Sequence, residues 1–169
     1  MTPEEFGALF ERFRRSAFRL EARDVYSVPD EQEDLAAFLN GQQVPARTPG
    51  NDSWLALVAG ATAAGRGVVR VRVVGRPVTD YTRFEFAAYI ENVMAGEEVR
   101  VVERGWLDGA DMAWANDDFW IFDDETVALL RYDEHGHFLG AERAGDPAAY
   151  LSARQRALAL SVDLADFTL

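Results

Sequence analysis

The stretch Asp118-Phe-Trp-Ile-Phe-Asp-Asp124, continued by Glu125-Thr-Val-Ala-Leu-Leu-Arg-Tyr132, constrains this chain more than any other. It is the densest apolar run in the sequence, and carboxylates fence its first half at both ends. Two short runs rich in aromatic and β-branched residues, separated by an acidic tripeptide, read as antiparallel strands joined by a hairpin turn. A third strand, His137–Glu142, follows the turn residues Asp133-Glu-His-Gly136. An antiparallel meander is therefore expected over 119–142, and its buried face needs cover from the rest of the chain.

That cover is legible upstream. Glu4 to about Arg15 carries Phe6, Leu9, Phe10 and Phe13 at helical spacing. Ala17 to Arg23 then alternates apolar and polar like a half-buried strand. Asp30, with Glu33 three residues on, opens a short helix bearing Leu35, Phe38 and Leu39, and Gly41 ends it. Residues 41–52, rich in Gly, Pro, Asn and Asp, are expected to be a mobile loop. Ser53 caps a helix from Trp54 to about Ala64, and Val68–Val74 is a strand with arginines interleaved. Thr79 or Asp80 caps a long helix through Met94, and Glu98–Glu103 is the next strand. Helix, Ala-Gly, Val-rich strand thus occurs twice, at 54–74 and 86–102, which predicts parallel pairing by right-handed crossovers. Residues 104–117 form a second loop. Asp146-Pro147 starts a last helix, running to about Leu160, with a short tail behind it.

Composition removes several chemistries. The chain has 169 residues and no cysteine, and its 17 basic residues are all arginine. Disulfides, thiolate catalysis, zinc–cysteine sites, lysine Schiff bases and a P-loop are excluded. The net charge of −12 opposes nucleic acid and anionic membrane and favours a basic protein surface. No apolar run approaches a membrane span, and the acidic start is not a signal peptide, so a cytoplasmic location is expected.

Three groups of residues invite a functional reading. Asp117, Asp118, Asp123, Asp124 and Glu125 suggest a hard cation, but they sit at two ends of one strand, and a turn with an arginine partner is the preferred reading. His135 and His137 flank a turn glycine and read as solvated. Asp80, Arg83 and Glu85 at the start of the long helix, with Arg19, Asp118 and Asp123, form either an internal ion-pair set that draws in Arg70 or Arg72 or a pocket for a small anion at the helix N-terminus. Trp106 and Trp114 either cover the core edge or mark a recognition surface with Asp124 and Glu125. Trp54 and Trp120 read as core.

The segments Ala17-Phe-Arg-Leu-Glu21, Thr79-Asp-Tyr-x-Arg-Phe-Glu85, Asp118–Asp124 and Gly140-Ala-Glu142 resemble, in order and spacing, an actinobacterial, Streptomyces-type family of uncharacterised proteins encoded beside helix-turn-helix regulators. The second half also resembles, more distantly, phospholipase D-like domains. The active signature there is His-x-Lys-x4-Asp. With Asp123 in the aspartate place, Asn116 and Asp118 take the histidine and lysine places. With Asp124 there, Asp117 and Phe119 take them. Neither register keeps the nucleophile or the phosphate-binding cation, so the resemblance implies a fold without that reaction.

The expected fold is a single α/β (α+β) domain over residues 1–169, with a mixed sheet, parallel in its middle part, and helices at 54–64, 79–95 and 147–160 packed on it. The leading expectation for function is a non-enzymatic regulatory protein, acting on a protein partner through Trp106, Trp114, Asp124 and Glu125. The resemblance makes a helix-turn-helix regulator the implied partner, and a second copy of the chain is another candidate. The alternative is a small-ligand sensor or hydrolase-like enzyme using Arg19, Asp80, Arg83, Glu85, Asp118 and Asp123. No catalytic residue, metal, cofactor or direct nucleic-acid contact is expected.

Overall fold

The computed structural model describes residues 1–109 and 111–169. The chain runs α1 (Pro3–Arg12), β1 (Ser16–Glu21), α2 (Gln32–Leu39), α3 (Ser53–Ala63), β2 (Gly67–Val74), α4 (Asp80–Ala95), β3 (Glu98–Glu103), β4 (Asp118–Phe122), β5 (Thr126–Tyr132), β6 (Phe138–Arg143), α5 (Ala148–Leu160) and β7 (Val162–Asp163). The strands form one mixed sheet in the order β6-β5-β4-β1-β2-β3-β7. β1, β2 and β3 are parallel neighbours, as the repeated helix–strand units predict. β4 returns antiparallel beside β1, and β4, β5 and β6 form the expected meander. Five helices complete a single α+β domain among the described residues.

Strand alternation splits the core in two. Phe18, Leu20, Val71, Val73, Phe119 and Ile121 point to one face, where Ala153 and Ala157 of α5 pack on them. Ala17, Val68, Trp120 and Phe122 point to the other, under Phe13 and the α3 residues Val58 and Ala61. Val74, Val99 and Val101 meet Phe86 and Tyr89 of α4 on that same second face. One face is thus covered by α5, and the opposite face by α1, α3 and α4.

Several boundaries differ from the sequence reading, each for a physical reason. α1 ends at Arg12, not Arg15, because the backbone N–H groups of Arg14, Arg15 and Ser16 are taken by the Asp123 carboxylate at 2.8, 2.7 and 3.1 Å. α2 has no Asp30 capping box. A 3-10 turn at Pro29–Glu31 leads into it instead. α3 is capped by Asp52, whose side chain accepts from Leu55 N at 2.8 Å, and Ser53 is its first helical residue. Thr79 caps α4. The tail adds β7 to the free edge of β3, a pairing too short to show a period. Residues 41–52 are irregular but tied to α4 through Arg47, which donates to Glu91, Asn92 and the carbonyl of Ala88. The loop at 104–117 contains 3-10 turns at Arg104–Trp106 and Asp111–Ala113, and its Ala110 lies outside the described residues. No helix among the described residues is long and apolar enough to cross a membrane.

Candidate functional site

On the face under α4, the three central strands carry charge where an interior sheet ordinarily carries aliphatic side chains. Arg19 and Glu21 of β1, Arg70 and Arg72 of β2 and Asp118 of β4 all share the parity of the apolar residues on that face. The parallel register sets Arg19 beside Arg70 and Glu21 beside Arg72. All five are buried, as are Glu85 of α4 and Glu97 of the turn into β3. Burying a charge costs several kcal/mol unless it is paired and hydrogen-bonded, so each arginine dictates its neighbours.

The pairing is dense. Arg70 donates Nη1 to Glu21 Oε1 at 2.5 Å and Nε to Glu97 Oε1 at 2.7 Å. Arg72 donates Nη2 and Nε to Glu85 Oε2 at 2.6 and 3.0 Å. Arg19 donates Nη2 to Asp118 Oδ1 at 3.0 Å and to the Tyr132 hydroxyl at 3.3 Å. Aromatic donors finish the carboxylates: Tyr26 OH meets Asp118 Oδ1 at 2.5 Å, Tyr89 OH meets Glu21 Oε2 at 2.6 Å, and Trp54 Nε1 meets Glu97 Oε2 at 3.0 Å. Four carboxylates (Glu21, Glu85, Glu97, Asp118) face three guanidinium groups (Arg19, Arg70, Arg72). One carboxylate is in excess, and the network favours keeping a proton. Burial pushes Glu85 up to about 8 against the pull of Arg72, and raises Asp118 against Arg19. Burial also opposes ionisation of Glu21, but Arg70, Arg19 and Arg72 outweigh it and hold that carboxyl at about 2.

This network floors an open pocket of about 850 Å³. Phe10, Trp54, Trp120 and Tyr132 form an aromatic wall, and the segment Ser27–Glu31 with Asp34 forms the mouth. Two donors remain unused at the floor. Arg19 is 3% exposed and its Nη1 has no acceptor. The Tyr132 hydroxyl accepts from Arg19, and no acceptor takes its own proton among the described residues. The floor carboxylates are committed to guanidinium and hydroxyl donors, so the arrangement is built to receive a hydrogen-bond acceptor.

Of the six residues expected to line one pocket, the structure brings together Arg19, Glu85 and Asp118, with Asp118 standing behind Arg19. The other three lie elsewhere. Arg83 is two residues from Glu85, about 200° around the helix, and faces outward from α4. Asp80 is exposed in the first turn of α4. Asp123 is five residues along β4 from Asp118, roughly 17 Å away, and holds the backbone after α1. The ion-pair expectation for Glu85 resolves to Arg72. Arg70, the other arginine expected in an ion-pair set, pairs with Glu21 and Glu97, and Glu21, Tyr26, Tyr89, Glu97 and Tyr132 are additions to the expected residues. Arg70 and Arg72 in a valine run, and Arg19-x-Glu21, carried a signal of strand parity. The tyrosines carried none.

The expected interaction residues do not form one surface. Trp106 is 47% exposed and packs on Phe167, with ring centres 5.9 Å apart. Trp114 packs on the core and donates to Asp111 at 3.2 Å. Both lie near the end of the sheet where β3 finishes and β4 begins. Asp124, paired with Arg154, and Glu125, paired with Arg15 at 3.5 Å, lie at the other end, because β4 runs antiparallel to β1. Asn116, Asp117 and Asp118 are separated by the length of β4 from Asp123 and Asp124. His135 is exposed, and His137 pairs with Asp133 at 2.8 Å on the pocket rim. Among the described residues no group of three or more His, Asp or Glu is placed to hold a metal ion.

A family model described as "Domain of unknown function (DUF6879)" matches residues 4–169. A search of curated proteins finds none that matches. Among solved structures, the crystal structure of a phospholipase D family member, Nuc from Salmonella typhimurium, is similar to this chain at 16% identity, covering 96% of this chain and 93% of that one, with a TM-score of 0.53. At that identity the likeness shows the fold alone.

Proposed function

The chain belongs to the family described as Domain of unknown function (DUF6879), and on that premise, which brings no activity with it, we propose that it is a non-enzymatic regulatory protein that senses a small molecule in the pocket over β1 and β2. The observation that carries this reading is Arg19, which lines the pocket and whose buried Nη1 has no acceptor. A buried donor left unpaired costs about 1–3 kcal/mol, and a ligand acceptor removes that cost. The pocket volume lies in the range of ligand sites, and its aromatic wall with few convergent polar groups is the usual lining. The commitment of every floor carboxylate to a partner supports binding over proton transfer.

The test is a small-molecule screen by thermal shift on the wild type and on Arg19→Lys, which keeps the charge beside Asp118 but loses the free Nη1. A ligand at 100 times its Kd adds about 2.7 kcal/mol, or roughly 5–10 °C in Tm for a domain of this size. We expect hits on the wild type that are lost in Arg19→Lys. Equal shifts in both proteins would count against Arg19 as the anchor.

A second reading, an accessory partner of a helix-turn-helix transcription regulator in the cytoplasm, is favoured by one observation. The outer side of α4 exposes Ile90, Val93 and Met94, the last at 83%, on a chain whose net charge of −12 suits a basic partner. Light scattering on the chain alone and mixed with such a regulator tests it. A mass equal to the sum of one copy of each supports it, and two unchanged peaks oppose it.

A further inference from the structure

The charges around the pocket constrain its ligand further, on the premise of the ligand-binding reading above. Among the lining residues, six carboxylates (Glu21, Asp30, Glu31, Asp34, Asp52, Glu85) face three guanidinium groups (Arg19, Arg47, Arg70). Arg47 is spent within the protein: it donates to Glu91 at 2.9 Å and to Asn92 at 3.0 Å, and pairs with Asp52 at 3.5 Å. Arg70 is spent on Glu21 and Glu97. At the mouth, Glu31 accepts from Tyr81 OH at 2.9 Å, while Asp30 and Asp34 have no hydrogen-bond or ion-pair partner among the described residues. The pocket is therefore donor-lined at its floor and negative at its mouth, with aromatic rings between. An anionic ligand meets that field with repulsion, whereas a neutral oxygen accepts from the two floor donors and a cation is drawn to the mouth.

We propose that the pocket takes a small aromatic amine bearing a carbonyl oxygen: the oxygen on Arg19 Nη1 and the Tyr132 hydroxyl, the ring against Trp54 and Trp120, and the ammonium toward Asp30 and Asp34. Ring packing and cation attraction act together here, because the carboxylates stand at the open side of an aromatic wall. Phosphate esters and carboxylate-terminated molecules are selected against by the same groups.

Three probes separate the terms: tryptophanamide, with indole, carbonyl and ammonium; N-acetyltryptophan, with indole, carbonyl and carboxylate; and phenyl phosphate. The 15N-labelled full chain is titrated with each, following the backbone amides of Ser27, Val28, Asp30, Glu31 and Tyr132. We expect tryptophanamide to bind at least about tenfold more tightly than either anion, a ratio that shrinks at high salt. The double variant Asp30→Asn, Asp34→Asn should weaken tryptophanamide severalfold without altering the rest of the spectrum. Equal or tighter binding of either anion, or indifference of tryptophanamide to the double variant, overturns the ligand class and leaves the pocket standing as a binding site. If no probe shifts the pocket amides and the thermal screen also returns nothing dependent on Arg19, the class and the ligand-binding reading both fall.

Discussion

Arg72 donates both Nε and Nη2 to a single oxygen of Glu85, at 3.0 and 2.6 Å, with the guanidinium fully buried between β2 and α4. Arg72 also donates to the backbone carbonyl of Arg23, so one side chain joins a helix, a strand and the segment leading to Tyr26. Removing Arg72 leaves the Glu85 carboxyl buried without its two guanidinium donors. Arg72→Met is expected to destabilise the protein by about 1–3 kcal/mol. Adding Glu85→Leu should return much of that, since the orphaned carboxyl then disappears. Urea unfolding of the single and double variants measures both, and a double variant no more stable than Arg72→Met would show that Glu85 was not the strained partner.

Stability should also depend on pH through the same network. The folded state raises Glu85 from 4.5 to about 8 by burial, so it holds a proton that the unfolded chain releases. That contribution is complete below about 4.5 and is lost as pH rises through about 8. Glu21 acts in the opposite sense: depressed to about 2, it stabilises above 4.5 and its contribution is lost as pH falls through about 2. Between these ranges the wild type should lose stability with rising pH, at no more than about 1.4 kcal/mol per unit, the value for one proton. Glu85→Gln should flatten that slope. Urea midpoints taken from pH 5 to 8 on both proteins check it, and parallel curves would place the proton elsewhere.

The acidic hairpin turn is a tether. Asp123 and Asp124 adopt φ of 55° and 67°, the left-handed pair that a two-strand turn requires and that Asp tolerates better than most residues. The Asp123 carboxylate then reaches three backbone N–H groups after α1. Asp123→Ala loses these charge-assisted bonds and is expected to cost about 2–4 kcal/mol. Asp123→Asn, which keeps the backbone tolerance and one acceptor oxygen, should cost less. Thermal and urea unfolding rank the two, and equal losses would mean that the carboxylate adds little to the turn.

Glycine substitutions should diverge by position. Gly136 has φ of 84°, and a Cβ there would stand 2.9 Å from Val25 O and 3.1 Å from Ser27 N, backbone that cannot rotate away. Gly136→Ala should destabilise by about 1–3 kcal/mol and move Tyr26 off Asp118. Gly7 sits in α1 with open space around it, and Gly7→Ala should stabilise by about 0.5–1 kcal/mol. Tm values of the two variants moving in the same direction would contradict this.

The elements were largely legible because their periods are strong. The meander followed from the runs at 119–132, and the parallel pair β2–β3 from the repeated helix–strand unit. The site was only half legible. Strand parity in Arg19-x-Glu21 and Arg70-x-Arg72 marks a charged face, but parity does not say which face faces which helix. Asp123 and Asp118, five positions apart in number and alike in chemistry, were grouped although an extended strand drives them to opposite ends of the sheet. Arg83 and Glu85 were grouped although a helix turns them apart. Tyr26, Tyr89 and Tyr132 reach the network across distances in sequence that no local pattern encodes.

The position of β1 between β2 and β4 gives synthesis an order of events. Arg19 leaves the ribosome 99 residues before Asp118, roughly 5–20 s at ordinary elongation rates. During that interval β1 can pair with β2, which settles Glu21 against Arg70, but its other edge has no strand and its Phe18 and Leu20 face has no α5. A nascent chain of this topology carries its central strand as an open template for most of its translation. Ribosomes that stall before Phe122 would release a product with that edge exposed and prone to pair with its own kind.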